Sequence, residues 1–140
     1  MAKENNFFTQ NIDRYGENFL DYINARDIQN ASINIFRGIA KGKINLDKYG
    51  HYFTFNQFLE PCIESARAKY LLYSVSYRGV ECLIRSGISS ADVVSVLDYH
   101  KRCFEAYSII LQELNNIKVD KDVSHLYIMA NKLSQYRFNI

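Results

Sequence analysis

Two long stretches of the chain carry apolar residues at alternating steps of four and three, and this pattern constrains the fold more than any other feature. Helices whose apolar residues repeat every 3.5 positions on average wind around one another. The turn between the stretches, centred on Gly87, is too short for anything except an antiparallel helical hairpin. The repeating positions are Leu59, Ile63, Ala66, Tyr70, Tyr73, Tyr77, Val80 and Ile84 in the first stretch, and Val93, Leu97, His100, Phe104, Tyr107, Leu111 and Leu114 in the second.

The rest of the chain has helical periodicity as well, which predicts an all-α fold of about five helices. Apolar residues recur on one face over residues 8–24 and again over 28–41, and a last helix is predicted over about 122–136. The hairpin is then formed by the third and fourth helices. We expect residues 1–140 to form a single helical-bundle domain around this hairpin, because their number suits one hydrophobic core.

Local signals predict where these helices begin and end. Asp27 is the expected N-cap of the second helix, while residues 54–57 and 89–92 fit capping boxes that open the third and fourth helices. Pro61 predicts a bend early in the third helix, unless it marks the true start of that helix. Residues 42–54 are broken by glycines and predict an irregular loop, whose aromatic run near its end fits an extended segment.

Both hairpin helices carry a second apolar row beside the first. A hairpin of two helices cannot bury both rows, because each helix has only one face toward the other. The second rows are therefore expected to meet the remaining helices or a second copy of the chain. These rows are Leu71, Leu72, Val75 and Cys82 in the third helix, and Val96, Tyr99, Cys103, Ala106 and Ile110 in the fourth.

Composition and charge exclude several classes of protein. Hydrophobic residues make up 48% and charged residues 23%, which is typical of a globular chain rather than a disordered one. The net charge of +2 is far below that of a polybasic protein. No apolar run reaches the length of a signal peptide or a membrane span. The three cysteines are far apart, as reduced core thiols are, so we expect a soluble cytoplasmic protein with no membrane partner.

The six residue types with AT-rich codons (Phe, Tyr, Met, Ile, Asn and Lys) account for 59 of the 140 residues. This bias indicates a low-GC source, such as a bacterium or its phage. It bears on the origin of the chain and only weakly on its function.

The sequence contains no assembled set of catalytic or metal-binding residues. His100 and Cys103 are three apart on a helix, but no HExxH motif or Cys/His quartet completes a zinc site. Glu60 and Glu64 lack the ExxH partner of a di-iron bundle and fit better as acidic residues near a helix start. An enzyme would need a polar pocket around His100 or His125. We expect no enzymatic activity, no metal, no cofactor and no small-molecule substrate.

Three tyrosines at seam positions of the third helix are candidate partner-binding residues. Tyr70, Tyr73 and Tyr77 stand where leucine would pack more tightly, and tyrosine on helix surfaces is enriched at protein interfaces. Tyrosine at the margin of the core, with its hydroxyl in water, explains the same pattern.

Two basic sets are candidates for binding nucleic acid. Arg67, Arg78 and Arg85 project on one face of the third helix, because eleven and eighteen residues are close to whole turns. A solvated outer face is the favoured explanation of these three residues. Arg37, Lys41 and Lys43 lie at a helix end with two glycines, but they lack the GxxxxGK[ST] order and sit at the pole of the helix that disfavours anions.

The surplus of apolar rows, together with the absence of a catalytic set, predicts a non-enzymatic interaction protein. It would act by binding a protein partner or by self-association into an oligomer. The AT-rich composition fits a phage or mobile-element accessory protein that blocks or adapts a host complex. The alternative is a nucleic-acid-binding module that uses the basic helix faces.

Overall fold

The computed structural model of the chain describes residue 14 and residues 23–43, 45–88 and 90–135. Within these residues the fold is all-α and contains no strand, as predicted. The predicted helix over residues 8–24 lies almost wholly outside the described part. The elements are α1 (Ala25–Ala40), α2 (Leu46–Tyr49), a 3₁₀ helix (Gly50–Thr54), α3 (Asn56–Arg85), α4 (Ala91–Asp120) and α5 (Ser124–Leu133).

Helix α1, the second helix of the prediction, begins three residues earlier than predicted. Its N-cap is Asn24, whose side-chain oxygen accepts a hydrogen bond from the Asp27 backbone N–H at 3.0 Å, while its amide donates to the Asp27 carboxylate at 2.7 Å. Asp27 therefore lies in the first turn instead of capping the helix. The helix ends at Ala40, and Gly42 follows two residues later with a φ of +71°, in the left-handed region that favours glycine.

Residues 46–54, predicted to belong to an irregular loop, form two short helices. Asn45 caps α2 by accepting a hydrogen bond from the Asp47 N–H, and the 3₁₀ helix follows directly. The prediction of an extended aromatic run was wrong because Tyr52 and Phe53 turn inward and are buried. The Phe53 ring meets Phe58 edge-on at 5.1 Å, so this segment closes one end of the core.

Helix α3 begins at Asn56, with Phe55 as its N-cap and no side-chain cap. The predicted capping box was wrong at this point, because the Thr54 hydroxyl donates to the His51 carbonyl within the 3₁₀ helix. Pro61 lies inside the helix, in its second turn, so the helix starts before it.

Helices α3 and α4 form the predicted antiparallel hairpin and pack along much of their length. Each has 30 residues and is about 45 Å long. Gly87, at φ +90°, lies in the turn between the two helices, as predicted. Ser90 then caps α4, its hydroxyl accepting from the Val93 N–H at 3.3 Å. Helix α4 continues to Asp120, six residues beyond Leu114, the last of its repeating apolar positions.

The hydrophobic core lies at the base of the hairpin, where α1, the 3₁₀ helix and α5 pack against the first turns of α3 and the last turns of α4. Each large apolar side chain buried there stabilises the fold by about 1.5–3 kcal/mol. The largest fully buried side chains are Phe53, Phe58, Ile35, Leu59, Ile63, Ile110, Leu114, Ile117, Leu126, Met129 and Cys62.

In the part of the chain that the structure describes, no helix combines the length and the hydrophobicity that crossing a lipid bilayer requires.

Candidate functional site

The outer half of the hairpin, residues 67–102, is a two-helix projection that we call the arm. Buried residues of α3 end at Ala66 and those of α4 begin at Cys103, and no described residue between them is buried. By the 1.5 Å rise per residue, the arm part of α3 is about 28 Å long and that of α4 about 18 Å. None of the described elements therefore forms a third layer that would bury the apolar residues of the arm.

The arm carries most of the exposed apolar surface of the described residues. Ten large apolar side chains are exposed in this part of the chain, and seven of them lie on the arm. The other three are Val119, Tyr127 and Ile128, near the base. Clustered exposed apolar residues of this kind mark interaction sites in soluble proteins. The seven arm residues are Leu71, Leu72, Val75, Leu83, Ile88, Val94 and Val96.

The side of α3 that points away from α4 forms a continuous apolar stripe, which we call the outer α3 face. Its members follow one another at steps of one, three or four residues and therefore share one side of the helix. Leu71, Leu72 and Val75 are 55%, 57% and 69% exposed. The outer α3 face consists of Ala68, Leu71, Leu72, Val75, Gly79 and Cys82, all of which are exposed.

The second apolar row of each hairpin helix was expected to meet another helix or a second copy. In α4 the row divides: Cys103, Ala106 and Ile110 are buried at the base, whereas Val96 on the arm is 42% exposed. In α3 the row remains exposed within the described residues. The outer α3 face is thus the part of the expected apolar surplus that the described fold leaves open to solvent.

The three candidate tyrosines lie between the two helices of the hairpin. Tyr70 and Tyr77 pack their rings against Phe104, at centroid distances of 6.4 and 5.1 Å, and Tyr73 stacks on Tyr107 at 5.9 Å. All three are half-buried. Their role in partner binding stays a prediction, and the outer α3 face presents more exposed apolar surface than they do.

The arm also carries the positive charge of the chain. Residues 67–102 contain six arginines and lysines against three carboxylates, a net charge of +3, so the remainder of the chain, with +2 overall, has a net charge of −1. Arg67 and Arg78 are exposed and form no ion pair among the described residues. Arg85 pairs with Glu81 at 3.2 Å. As far as the described residues go, two of the three predicted arginines are therefore open to contact with an anionic group.

The second basic set, at the C-terminus of α1, lies on a different side of the molecule. α1 approaches α3 along the side that carries Ser65, and Arg37 lines the cleft between them. Arg67 is two residues further along α3 and therefore points away from that side. The backbone N–H groups of residues 41–43 donate to carbonyls of α1 and are not free for a phosphate.

A shallow apolar groove of about 220 Å³ lies near the tip of the arm, between the two helices. Its lining residues are Val80, Leu83, Asp92, Val93 and Val96. Because Leu83 of α3 and Val96 of α4 are both exposed, the groove connects the exposed apolar surfaces of the two helices.

The Cys103 and His100 pair does not have the environment of a catalytic nucleophile. Burial raises the pKa of the Cys103 thiol, and the reactive form of cysteine is the thiolate. The His100 ring lies 5.8 Å from the Tyr73 ring and 5.9 Å from the Tyr99 ring. A hydrogen bond with Cys103 and burial raise the pKa of Tyr99 to about 12, so the Tyr99 hydroxyl keeps its proton near pH 7.

A polar cluster around His125 joins α4 to α5, and sequence reasoning missed its central residue, Glu113. Glu113 is buried and accepts hydrogen bonds from Lys132 at 3.1 Å and Asn116 at 3.1 Å. Burial opposes its ionisation, but these bonds hold the pKa of Glu113 below its ordinary value. The signal was present in the sequence, because Glu113 continues the second apolar row of α4 three residues after Ile110.

His125 lies between two carboxylates in this cluster. Its Nε2 is 2.8 Å from Asp120, and its Nδ1 is 3.3 Å from Glu113 without the geometry of a hydrogen bond. The Asp120 hydrogen bond raises the pKa of His125. Because these contacts and the ion pair of Lys132 connect α4 to α5, the arrangement serves to dock α5. Among the described residues, no group of three or more His, Cys, Asp or Glu side chains is placed to hold a metal ion.

Comparisons with known protein families, with curated proteins and with solved structures give no match to this chain.

Proposed function

We propose that this protein is a non-enzymatic interaction protein and that the arm is the part that binds a protein partner. The observation that carries the proposal is the exposure of seven large apolar side chains on a projection in which none of the described residues is buried. Apolar surface left in water costs free energy, about 25 cal/mol for each Å² that a partner could cover. A partner that covers the arm gains this free energy.

A narrower version of the proposal is that the chain is an accessory protein of a phage or another mobile element, which blocks or adapts a host complex. Its support is the AT-rich composition of the chain. A projecting arm suits this role, because it can enter a cleft of a larger assembly while the base remains folded.

The second candidate function is nucleic-acid binding through the arm. The observation that favours it is a pair of exposed arginines, Arg67 and Arg78, which form no ion pair with any residue that the structure describes. Binding of this kind weakens steeply as salt rises, and the loss of each phosphate contact lowers the slope of the salt dependence by about one. Absence of binding to single- and double-stranded DNA and RNA at low salt would end this candidate.

Site-specific photo-crosslinking in the source cell tests the leading proposal. A photoreactive residue replaces Val75 on the arm in one strain and Val119 near the base in another. Both valines are exposed, at 69% and 86%, so the two positions differ in place rather than in accessibility. We expect a discrete protein adduct from position 75 and none from position 119.

A second pair of variants separates a specific partner from a chance neighbour. Val75→Asp places a charge on the outer α3 face, whereas Val119→Asp makes the same change away from the arm. The partner identified by crosslinking should co-purify with wild type and Val119→Asp and be lost with Val75→Asp. Adducts that are equal at both positions, or co-purification that survives Val75→Asp, would contradict the proposal.

A further inference from the structure

We infer that the outer α3 face seats an amphipathic helix of the partner protein, and that acidic residues flank the apolar stripe of this helix. This inference rests on the proposed function and specifies the kind of partner. The face extends over fourteen residue steps, from Ala68 to Cys82, which is about 21 Å along the helix axis. That length accommodates about four turns of a docked helix.

Gly79 indicates that the occupant approaches the α3 backbone closely. Glycine is the weakest helix former after proline, and here it lies in the middle of a 30-residue helix. A Cβ built at this position meets no atom within 4 Å, so no contact within the described residues explains the glycine. Ala68 and Cys82, at the two ends of the face, are also small. A row of this kind lets the backbone of a second helix approach.

The positive charges beside the outer α3 face indicate which residues flank the apolar stripe of the docked helix. Arg67 and Arg78 are eleven residues apart, or three turns, and therefore border the apolar stripe along one edge. Both are exposed and form no ion pair among the described residues, and the arm as a whole has a net charge of +3. Arginine binds carboxylates through two parallel hydrogen bonds. Glutamate or aspartate beside the apolar stripe of the partner helix would meet these arginines.

The same face fits a nucleic acid less well. The side chains of Leu71, Leu72 and Val75 have no hydrogen-bond donor to offer a phosphate backbone. Contact with a charged backbone would also not give these side chains the apolar environment that makes their burial favourable.

A second copy of the chain also fits less well. Consider two copies that pair through their outer α3 faces, with the helices antiparallel and related by a two-fold axis perpendicular to them. This symmetry places equivalent edges of the two helices on one side of the interface. The arginine edges of both copies would then lie together, and like charges repel.

Two synthetic peptides of about 21 residues are the probes for this inference. Each has three heptads with leucine at the core positions, and the flanking positions are glutamate in one peptide and lysine in the other. Binding to the full chain is measured by titration calorimetry at about 50 mM salt, where charges are weakly screened. We expect the glutamate peptide to bind at least about tenfold more tightly. Equal binding, or tighter binding of the lysine peptide, overturns the inference.

Charge reversal tests the placement of the docked helix without disturbing the core. In the double variant Arg67→Glu/Arg78→Glu the preference should reverse, so that the lysine peptide binds more tightly. Val75→Asp should weaken binding of the glutamate peptide at least about tenfold, and the control Val119→Asp should change it less than about twofold. An unchanged preference in the charge-reversed variant places the peptide elsewhere and overturns the inference. Circular dichroism verifies that each variant is folded.

The other occupants have their own readouts. A DNA duplex of about 20 base pairs that binds more tightly than the glutamate peptide, with loss of binding in Arg67→Glu/Arg78→Glu, overturns the inference in favour of nucleic acid. A dimer in sedimentation velocity that Val75→Asp dissociates overturns it in favour of a second copy. A crosslinked partner whose contact with position 75 is not an acidic helix overturns the inference and leaves the proposed function standing.

Discussion

At the scale of single residues, two glycines show different reasons for the absence of a side chain. Gly87 has a positive φ of +90°, which the turn of the hairpin requires, whereas Gly79 lies in the interior of α3 with free space where a Cβ would stand. Glycine is necessary at the first position and costs helix stability at the second. The two residues therefore respond in opposite directions to the same substitution.

Replacement of each glycine by alanine measures this difference. Gly79→Ala should raise the free energy of unfolding by about 0.5–1 kcal/mol, because alanine is the better helix former. Gly87→Ala should lower it by about 1–2 kcal/mol, because an L-residue is strained at positive φ. Urea unfolding followed by circular dichroism gives both values. Destabilisation by Gly79→Ala would show that the outer α3 face is packed in the isolated chain.

The cysteines differ in accessibility, and their reactivity reports on the arm. Cys82 is exposed on the outer α3 face, while Cys62 and Cys103 are buried. Burial raises the pKa of Cys62 to about 12, which suppresses its thiolate. A chromogenic disulfide reagent should titrate one thiol rapidly in the native protein and all three in guanidinium. Rapid reaction of two or three native thiols, or of none, would contradict the described burial.

At the scale of elements, α5 is held to α4 by a cluster of ionisable side chains, whose contacts depend on pH. His125 faces Asp120 and Glu113 on α4, with Lys132 on α5 and Asp122 before it. The pKa of His125 is raised in the folded state, mainly by the Asp120 hydrogen bond, while the pKa values of Asp120 and Glu113 are lowered. A raised histidine pKa stabilises the folded state at low pH, and lowered carboxylate pKa values stabilise it above their ordinary range.

The stabilisation from His125 should be complete below the ordinary histidine pKa of about 6.5 and should disappear as pH rises through the higher folded-state value. His125→Gln should therefore reduce the free energy of unfolding more at about pH 5.5 than at about pH 8.5. Urea unfolding of wild type and variant across this range measures the difference. A loss that is constant with pH, or greater at high pH, would contradict the described contacts.

The elements show where sequence reasoning succeeds and where it fails. The hairpin was predicted correctly because the alternating steps in residues 59–114 repeat over many turns, and a long periodic signal outweighs any single residue. The predicted positions of the helix ends were less accurate, because neighbouring residues compete for the capping position. Asn24 and Asp27 are both good N-cap residues, and a single hydrogen bond, from the Asp27 N–H to the Asn24 side chain, marks Asn24 as the cap. The aromatic run after Gly50 was misread as extended because its conformation is decided by burial against Phe58 and against Phe36 of α1, a contact distant in sequence.

The candidate site was predicted in part. The second apolar row in α3 was visible in the sequence, and so were Arg67, Arg78 and Arg85 on one face. Which apolar row stays exposed depends on where α1 and α5 end along the hairpin, and this is a property of the packed fold. For this reason the sequence directed attention to the seam tyrosines, whereas the described structure exposes the outer α3 face.

At the scale of the whole molecule, the chain divides into a packed base and a projecting arm. The base contains every buried residue of the described part, and the arm contains most of its exposed large apolar side chains and an excess of positive charge. This division separates stability from binding. Substitutions at the base should act on folding, and substitutions on the outer α3 face should act on the partner.

Urea unfolding of Leu72→Asp/Val75→Asp, beside Ile110→Asp, tests this division most directly. The two arm residues are 57% and 69% exposed, while Ile110 is fully buried. The arm variant should keep the free energy of unfolding within about 0.5 kcal/mol of wild type, as surface substitutions do, and Ile110→Asp should lose about 4 kcal/mol or more, because it buries an unpaired charge. A loss of about 2 kcal/mol or more in the arm variant would show that the outer α3 face is already covered in the isolated chain and is not a docking surface.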